Sequence, residues 1–413
     1  MSAQERGRRR FLQDSAVLAG LAVGAIRTAS GQTLGSEELA AQSKDLRAYG
    51  ERSRFDKSAG WPLVSGSTGR RTPLQDSAGI ITPSGLHFVV GGGFPPPDLA
   101  PRQHRLLIHG MVDRPLIFTL EELKRLPSVS RVHFIECAGN SIPAGRSAVQ
   151  PLQAVQQTHG ATSCSEWTGV LLSVLLQEAG VQKGANWLVA EGGEGAKHTR
   201  SILLEKAMDD VIVAYAQNGE AVRPENGFPL RLMVPGWEGN INVKWLRRIK
   251  VVDQPYMTFS EITAYTSLRP DGTARWFQFE LGPKSVITFP SGGQRLLGRG
   301  FYEITGLAWS GGGVIRRVEV STDGGRNWKD AELQSPVHRI AHTRFRLPWN
   351  WDGQEAVLQS RCTDERGGVQ PSLEELSKMW GAPPAYWESH LSIHFNPIQS
   401  WRVTREGSVQ NAL

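Results

Sequence analysis

The sequence predicts an α+β protein in two parts, a mixed helix–strand segment followed by a β-sandwich. Three observations carry this. Between Arg105 and Lys250, apolar runs of strand character alternate with segments of helical period. From about Tyr265 onward, short apolar segments recur every ~10 residues between Gly-rich or Pro-rich turns, the spacing of a sandwich. The 45 glycines and 24 prolines among 413 residues suit strands and turns better than a helix bundle. At ~100–200 residues per domain, the length allows two or three domains.

In chain order, Arg8-Arg9-Arg10-Phe11-Leu12, the apolar stretch 16–26 and Ala29-Ser30-Gly31 form a charged n-region, a short h-region and a small-residue cleavage site. The paired arginines give residues 1–31 the look of a twin-arginine export signal, which predicts a periplasmic protein carrying a complex cofactor. The apolar stretch is too short to cross a hydrocarbon core of ~30 Å, and no other segment comes near the required length. No membrane span is therefore expected once the signal is removed. Residues 32–85 read as a polar lead-in, and Gly91-Gly92-Gly93-Phe94-Pro95-Pro96-Pro97 is a loop by composition.

Arg105–Gly110 reads as a strand, and Thr119 with Glu122 three residues later is a capping box opening a helix to Arg125. Leucines 171, 172, 175 and 176 mark an amphipathic helix ending at Gly180. Residues 230–234 and 246–252 read as strands, as do 304–309, 315–321, 341–347 and 355–363. Thr322-Asp323-Gly324-Gly325, between Val318-Glu319-Val320 and Trp328, signals a hairpin.

Composition excludes several function classes. Five arginines (Arg6, Arg8, Arg9, Arg10, Arg27) against Glu5 and Asp14 put half of the formal +6 charge in the first 31 residues. The remainder is too thinly spread for a nucleic-acid-binding stripe. Three cysteines exclude a disulfide scaffold, a multi-cysteine zinc site and a four-cysteine iron–sulfur cluster, and without Cys-x-x-Cys-His the chain attaches no c-type haem itself. Cys164 and Cys362 read as small core residues. The 13 tryptophans are scattered, with Trp237 and Trp245 placed to line a pocket mouth.

The sharpest local feature is Arg131-Val132-His133-Phe134-Ile135-Glu136-Cys137-Ala138-Gly139-Asn140, an apolar strand delivering one cysteine into a turn of small residues. Further on, Gly227-Phe228-Pro229-Leu230-Arg231-Leu232-Met233-Val234-Pro235-Gly236 and Val243-Lys244-Trp245-Leu246 set an Arg and a Lys on glycine-flanked strand segments, suited to a phosphate-bearing ligand. These segments resemble the molybdenum domain of the sulfite oxidase family, and 318–328 resembles the dimerisation domain that follows it there. The likeness runs from Thr82 to Val403 and is greatest to the sulfane dehydrogenase branch, at 81–88, 162–169 and 394–401.

The resemblance implies a molybdopterin oxidoreductase domain over 86–264 and an immunoglobulin-like dimerisation sandwich over 265–405. It implies a molybdenum–molybdopterin cofactor, with Cys137 as the metal ligand and Arg231 and Lys244 holding its phosphate and pterin. Asn226 stands where animal members have a pterin-contacting histidine, and Tyr265 coincides with the family's active-site tyrosine. His394 falls where those members place a substrate-pocket arginine. The implied partners are a dihaem c-type cytochrome subunit, a sulfur-carrier protein bearing the substrate, and a second copy of the chain within a heterotetramer.

Two departures bear on substrate. Gly91, Gly92 and Gly93 stand where animal members have an Arg-Asn-His trio, leaving only backbone N–H groups to hold an anion. Ser141-Ile142 replaces the basic pair after the cysteine turn. Fewer fixed cations favour sulfane sulfur presented on a protein arm. The alternative is a sulfite dehydrogenase oxidising free sulfite to sulfate, with cytochrome c as acceptor. Two remoter readings are a methionine sulfoxide reductase, against which the C-terminal sandwich argues, and an assembly subunit without its cofactor.

Overall fold

The strand Thr162–Leu171 lies inside a sheet, with Trp167 and Val170 fully buried and both of its edges paired. On one side it runs antiparallel to Ser128–Glu136, in register from Ser128 opposite Val170 to Glu136 opposite Thr162. On the other lies Ile212–Gln217, which also pairs with Glu220–Ala221 and Arg231–Met233. The structure, a computed structural model, describes residues 60–62, 69–90, 95–141, 150–195, 197–383, 385–389 and 394–412. The export signal, much of the lead-in, Gly91–Gly93 and Ile142 lie outside them.

A second sheet runs in the order Leu116–Thr119, Arg105–Gly110, Leu246–Val252, Trp187–Gly192, Thr199–Leu203. Leu246–Val252 is parallel to Arg105–Gly110 and antiparallel to Trp187–Gly192. Helix Leu172–Ala179 buries Leu172, Leu175, Leu176 and Ala179, its apolar stripe, in a core with Leu106, Ile108, Leu188 and Ile249. Each leucine or isoleucine here contributes about 1.5–3 kcal/mol on burial. The helix stops where Gly180 takes a left-handed conformation (φ +72°), which a side chain there would strain. The capping box at Thr119 opens helix Leu120–Arg125 as the sequence predicts.

From Lys284 onward the chain forms two further sheets. One holds Lys284–Phe289, Gly300–Trp309, Thr343–Trp351 and Glu332–Leu333. The other holds Lys329–Asp330, Ile315–Ser321, Ala356–Asp364, Ser400–Val403 and Val409–Ala412. Their shared core includes Val286, Leu307, Trp309, Val318, Phe345, Leu358 and Trp401. This is a sandwich, and the predicted hairpin appears as Ile315–Ser321 paired with Lys329–Asp330. Both sheet pairs fall within the single unit Ser58–Leu413.

The described part of the lead-in is tied to both halves. The Thr72 hydroxyl bonds that of Ser163 at 2.6 Å, Gln75 Nε2 donates to the Ser291 hydroxyl at 2.8 Å, and Arg344 donates to the Ser77 and Gly79 carbonyls. Cys164 and Cys362 are buried free thiols, each with its pKa pushed up by burial, Cys164 to about 12. Among the described residues no helix is long and apolar enough to cross a membrane.

Candidate active site

Strand Ser128–Glu136 ends one residue before Cys137, and the turn that follows fixes the cysteine through its backbone. Cys137 N–H donates to the Ala161 carbonyl at 2.9 Å, and its own carbonyl accepts from Asn140 N–H at 2.9 Å. Asn140 Oδ1 in turn accepts from Ala161 N–H at 3.0 Å. Gly239 closes the other side, where a Cβ would come within 2.6 Å of the Glu136 carbonyl, so only glycine allows this approach. Half-buried Cys137 thereby faces a cavity of about 350 Å³ whose wall also carries Asn226, Arg231, Lys244, Trp245 and Tyr265. Burial, with Glu136 and Glu238 nearby, pushes its thiol up to about 11, while the Gly139 N–H pulls the other way.

Arg231 opens the strand Arg231–Met233 and is buried with its guanidinium 5.3 Å from the ring of Trp167. One Nη donates to the Asn226 carbonyl at 3.0 Å, while Nε is buried with no partner. Among the described residues no carboxylate pairs with it, and desolvation pulls its pKa down to about 9. Lys244 donates to the Glu225 carbonyl at 3.3 Å, and burial plus the neighbouring Arg231 pull it down to about 7. Asn226 is held by Gln217, whose Oε1 accepts from its Nδ2 at 3.1 Å. A buried guanidinium with an orphaned N–H beside a half-buried ammonium is a seat for an anion.

The Lys244 shift gives stability a definite pH dependence. The folded, ligand-free chain holds this ammonium less tightly than the unfolded chain, with pKa about 7 against 10.5. Above pH 7 the unfolded state therefore binds more protons at this group, and stability rises with pH between 7 and 9, beyond which Arg231, held near 9, adds a rise of its own. A thermal-melt series on the cofactor-free chain is expected to show the rise between pH 7 and 9, and Lys244→Met is expected to remove it. A rise that persists in Lys244→Met would assign it to another group.

Tyr265 follows helix Phe259–Ala264, whose Glu261 accepts from Thr258 N–H at 2.8 Å and also from Ser201 N–H. The buried Arg200 guanidinium lies 4.7 Å from the Tyr265 ring centre, and His198 meets the ring edge-on at 6.2 Å. Burial pushes the phenol up to about 12, so it stays protonated and available as a donor at neutral pH.

Of the residues read from sequence, Cys137, Asn226, Arg231, Lys244 and Tyr265 meet at one cavity. His394 does not line it. Its Nε2 accepts from Gly282 N–H at 2.9 Å, its backbone N–H donates to the Ala138 carbonyl at 3.1 Å, and burial keeps the ring neutral. The chain's return thus buttresses the back of the cysteine turn. Trp245 lines the cavity, whereas Trp237 stacks on Phe279 at 4.2 Å in the core. Gly91–Gly93 are outside the described residues.

Sequence reasoning missed Glu194, His198, Asn240 and Phe259, which also line the wall. The Gly192-Gly193-Glu194-Gly195 run was the available signal for the first two. A larger depression of about 520 Å³, lined by Asp98, His104, Arg105, Arg247 and Arg248, brings no thiol, and two of its arginines are committed to Glu191. The chemistry therefore belongs to the smaller cavity.

Among the described residues no three His, Cys, Asp or Glu side chains converge as a metal cage. One thiol facing a cavity that also holds a buried guanidinium and a half-buried ammonium fits a metal arriving with its own organic ligand and an anionic arm.

Residues 93–260 match the family described as the oxidoreductase molybdopterin binding domain, and 275–389 match the Mo-co oxidoreductase dimerisation domain. The crystal structure of the sulfane dehydrogenase SoxCD from Paracoccus pantotrophus is 39% identical, covers 94% of this chain and 96% of that one, and superposes with a TM-score of 0.83. A nitrate reductase [NADH] from Solanum lycopersicum is 35% identical over 71% of this chain and 36% of its own length. Nitrate reductase [NADH] 1 of Arabidopsis thaliana is 36% identical over 66% of this chain and 33% of its own. The chain thus spans about a third of the length of these curated relatives.

Proposed function

This chain belongs to the sulfite oxidase family of molybdoenzymes, and on that premise we propose that it is the molybdenum-bearing subunit of a periplasmic sulfane dehydrogenase. Its substrate is sulfane sulfur carried on a partner protein, and its electrons pass to a c-type, dihaem cytochrome subunit. It acts as a homodimer within a heterotetramer. The observation that carries this reading is the likeness to a sulfane dehydrogenase over 94% of one chain and 96% of the other, where the nitrate reductases match over about a third of theirs. The loss of the family's basic residues at Gly91–Gly93 and Ser141-Ile142 agrees with a substrate delivered by a protein rather than captured as a free oxyanion.

The molybdenum–molybdopterin cofactor supplies, when bound, oxygen-atom transfer coupled to two electrons. The chain's own residues do the rest. Cys137 would hold the metal as a thiolate, giving up the proton that burial otherwise keeps on it. Arg231 and Lys244 fix the cofactor's phosphate and pterin, with Asn226 contributing hydrogen bonds but no charge. Tyr265, kept protonated, donates a hydrogen bond toward charge that develops on oxygen.

Tyr265→Phe is expected to lower kcat by ~10²-fold at parental molybdenum content, because it removes one donor and little volume. Unchanged kcat would remove Tyr265 from the chemistry. The substrate is decided by assaying purified enzyme with free sulfite and with carrier-bound sulfane sulfur under one acceptor. Turnover is expected with the carrier alone, and fast turnover of free sulfite without it would establish the sulfite dehydrogenase instead.

A further inference from the structure

The residue before the cysteine is a glutamate with 1% exposure. Such a buried carboxylate survives only when its oxygens are satisfied. Two of its three donors come from the sandwich. Lys284 Nζ and Asn140 Nδ2 both donate to Glu136 Oε1, the latter at 2.9 Å, and Trp309 Nε1 donates to Oε2 at 2.7 Å. Lys284 and Trp309 stand opposite each other on the paired strands Lys284–Phe289 and Gly300–Trp309, so one register delivers both.

The same lysine reaches further around the turn. Its Nζ also lies 3.2 Å from the Ser141 hydroxyl, where the backbone sits in the left-handed region at φ +72°. That conformation costs a serine energy and persists only where its surroundings impose it. The Ser141 N–H donates to the Thr158 carbonyl at 3.0 Å, so the turn's end is gripped from both sides. Both ends of the segment 136–141 are thus bonded to one ammonium from the following sandwich, and Cys137 lies between them.

We propose that Glu136, Lys284 and Trp309 are positioning residues for Cys137. The sandwich, beyond any role in dimerisation, aims the thiolate at the metal through a buried ion pair and an indole N–H. This rests on Cys137 being the ligand. Partners that orient a metal ligand typically change metal affinity or activity by ~10–100-fold when removed.

The test uses the full-length, molybdenum-loaded enzyme and reads the metal rather than turnover. In the double variant Glu136→Gln/Lys284→Met both charges leave together, so no uncompensated carboxylate remains buried. It is expected to melt cooperatively, to show a weakened or lost polypeptide-sulfur contribution in molybdenum X-ray absorption, and to lose molybdenum on dialysis ~10-fold faster than the parent. A parental sulfur contribution with parental retention would overturn the proposal. Should the double variant not accumulate folded, Trp309→Phe decides, since it removes one N–H and keeps the ion pair. A changed sulfur distance supports the role, and parental spectra overturn it. Absence of polypeptide sulfur in the parent's own spectrum would instead overturn Cys137 as ligand, before any variant is compared.

Discussion

Cys137→Ser is expected to reduce turnover to background while the chain still folds. Serine matches the cysteine in size but replaces a soft thiolate with a hard, weakly acidic hydroxyl, which a metal held by dithiolene sulfur accepts poorly. The loss should exceed the ~10–100-fold that follows from disturbing only a ligand's hydrogen-bonded support. Folding should suffer little. The side chain is half-buried against the cluster of Phe88, Ile135 and Trp167, and a hydroxyl there costs about 1–3 kcal/mol where it finds no partner. Kinetics, molybdenum per chain and thermal melting on the same preparation separate these effects. A folded, molybdenum-replete variant with near-parental kcat would show that the cysteine is not the ligand.

Local pattern marked Cys137, Arg231 and Lys244 in the sequence, whereas Asn226 and Tyr265 were legible only through the resemblance to the sulfite oxidase family. An apolar strand running into Cys-Ala-Gly-Asn has few structural uses for its small residues other than close approach, and the structure uses Gly239 in the same way across the turn. Elements with complete local signals came through with little error. Strand Leu246–Val252 and strand Ile315–Ser321 have the predicted bounds, and the helix before Gly180 begins one residue later than read. Bounds set by tertiary pairing did not. Gly300–Trp309 starts four residues before its apolar run because Gly300 to Glu303 pair with Pro348 to Trp351, a partner invisible in the local pattern.

The same limit explains His394. Its motif placed it in the right neighbourhood, yet whether its ring meets the cavity or a backbone N–H depends on Gly282, 112 residues away. Glu136 is the converse case. Its position beside the cysteine was plain, but a carboxylate in an apolar strand gives no hint that its cation lies on another sheet.

Arg231→Gln is expected to produce two changes of opposite sign. In the cofactor-free chain the guanidinium is buried with no carboxylate among the described residues against it and with Nε unsatisfied, so desolvation weighs on the folded state. Glutamine removes that charge while keeping a donor near the Asn226 carbonyl, and the empty protein should melt higher than its parent. In the loaded enzyme the same change removes a charge-assisted contact to the anionic arm, worth about 1.5–3 kcal/mol, or ~10–150-fold in affinity. Molybdenum per chain after dialysis should fall accordingly. A purely structural arginine would lower the melting point of the empty protein and leave the molybdenum content unchanged, because its loss would weaken the contacts to the Asn226 carbonyl and the face of Trp167 without removing a contact to the cofactor. A Gln variant with a lower melting point when empty and parental molybdenum content would therefore show that Arg231 supports the wall of the cavity rather than the molecule held inside it.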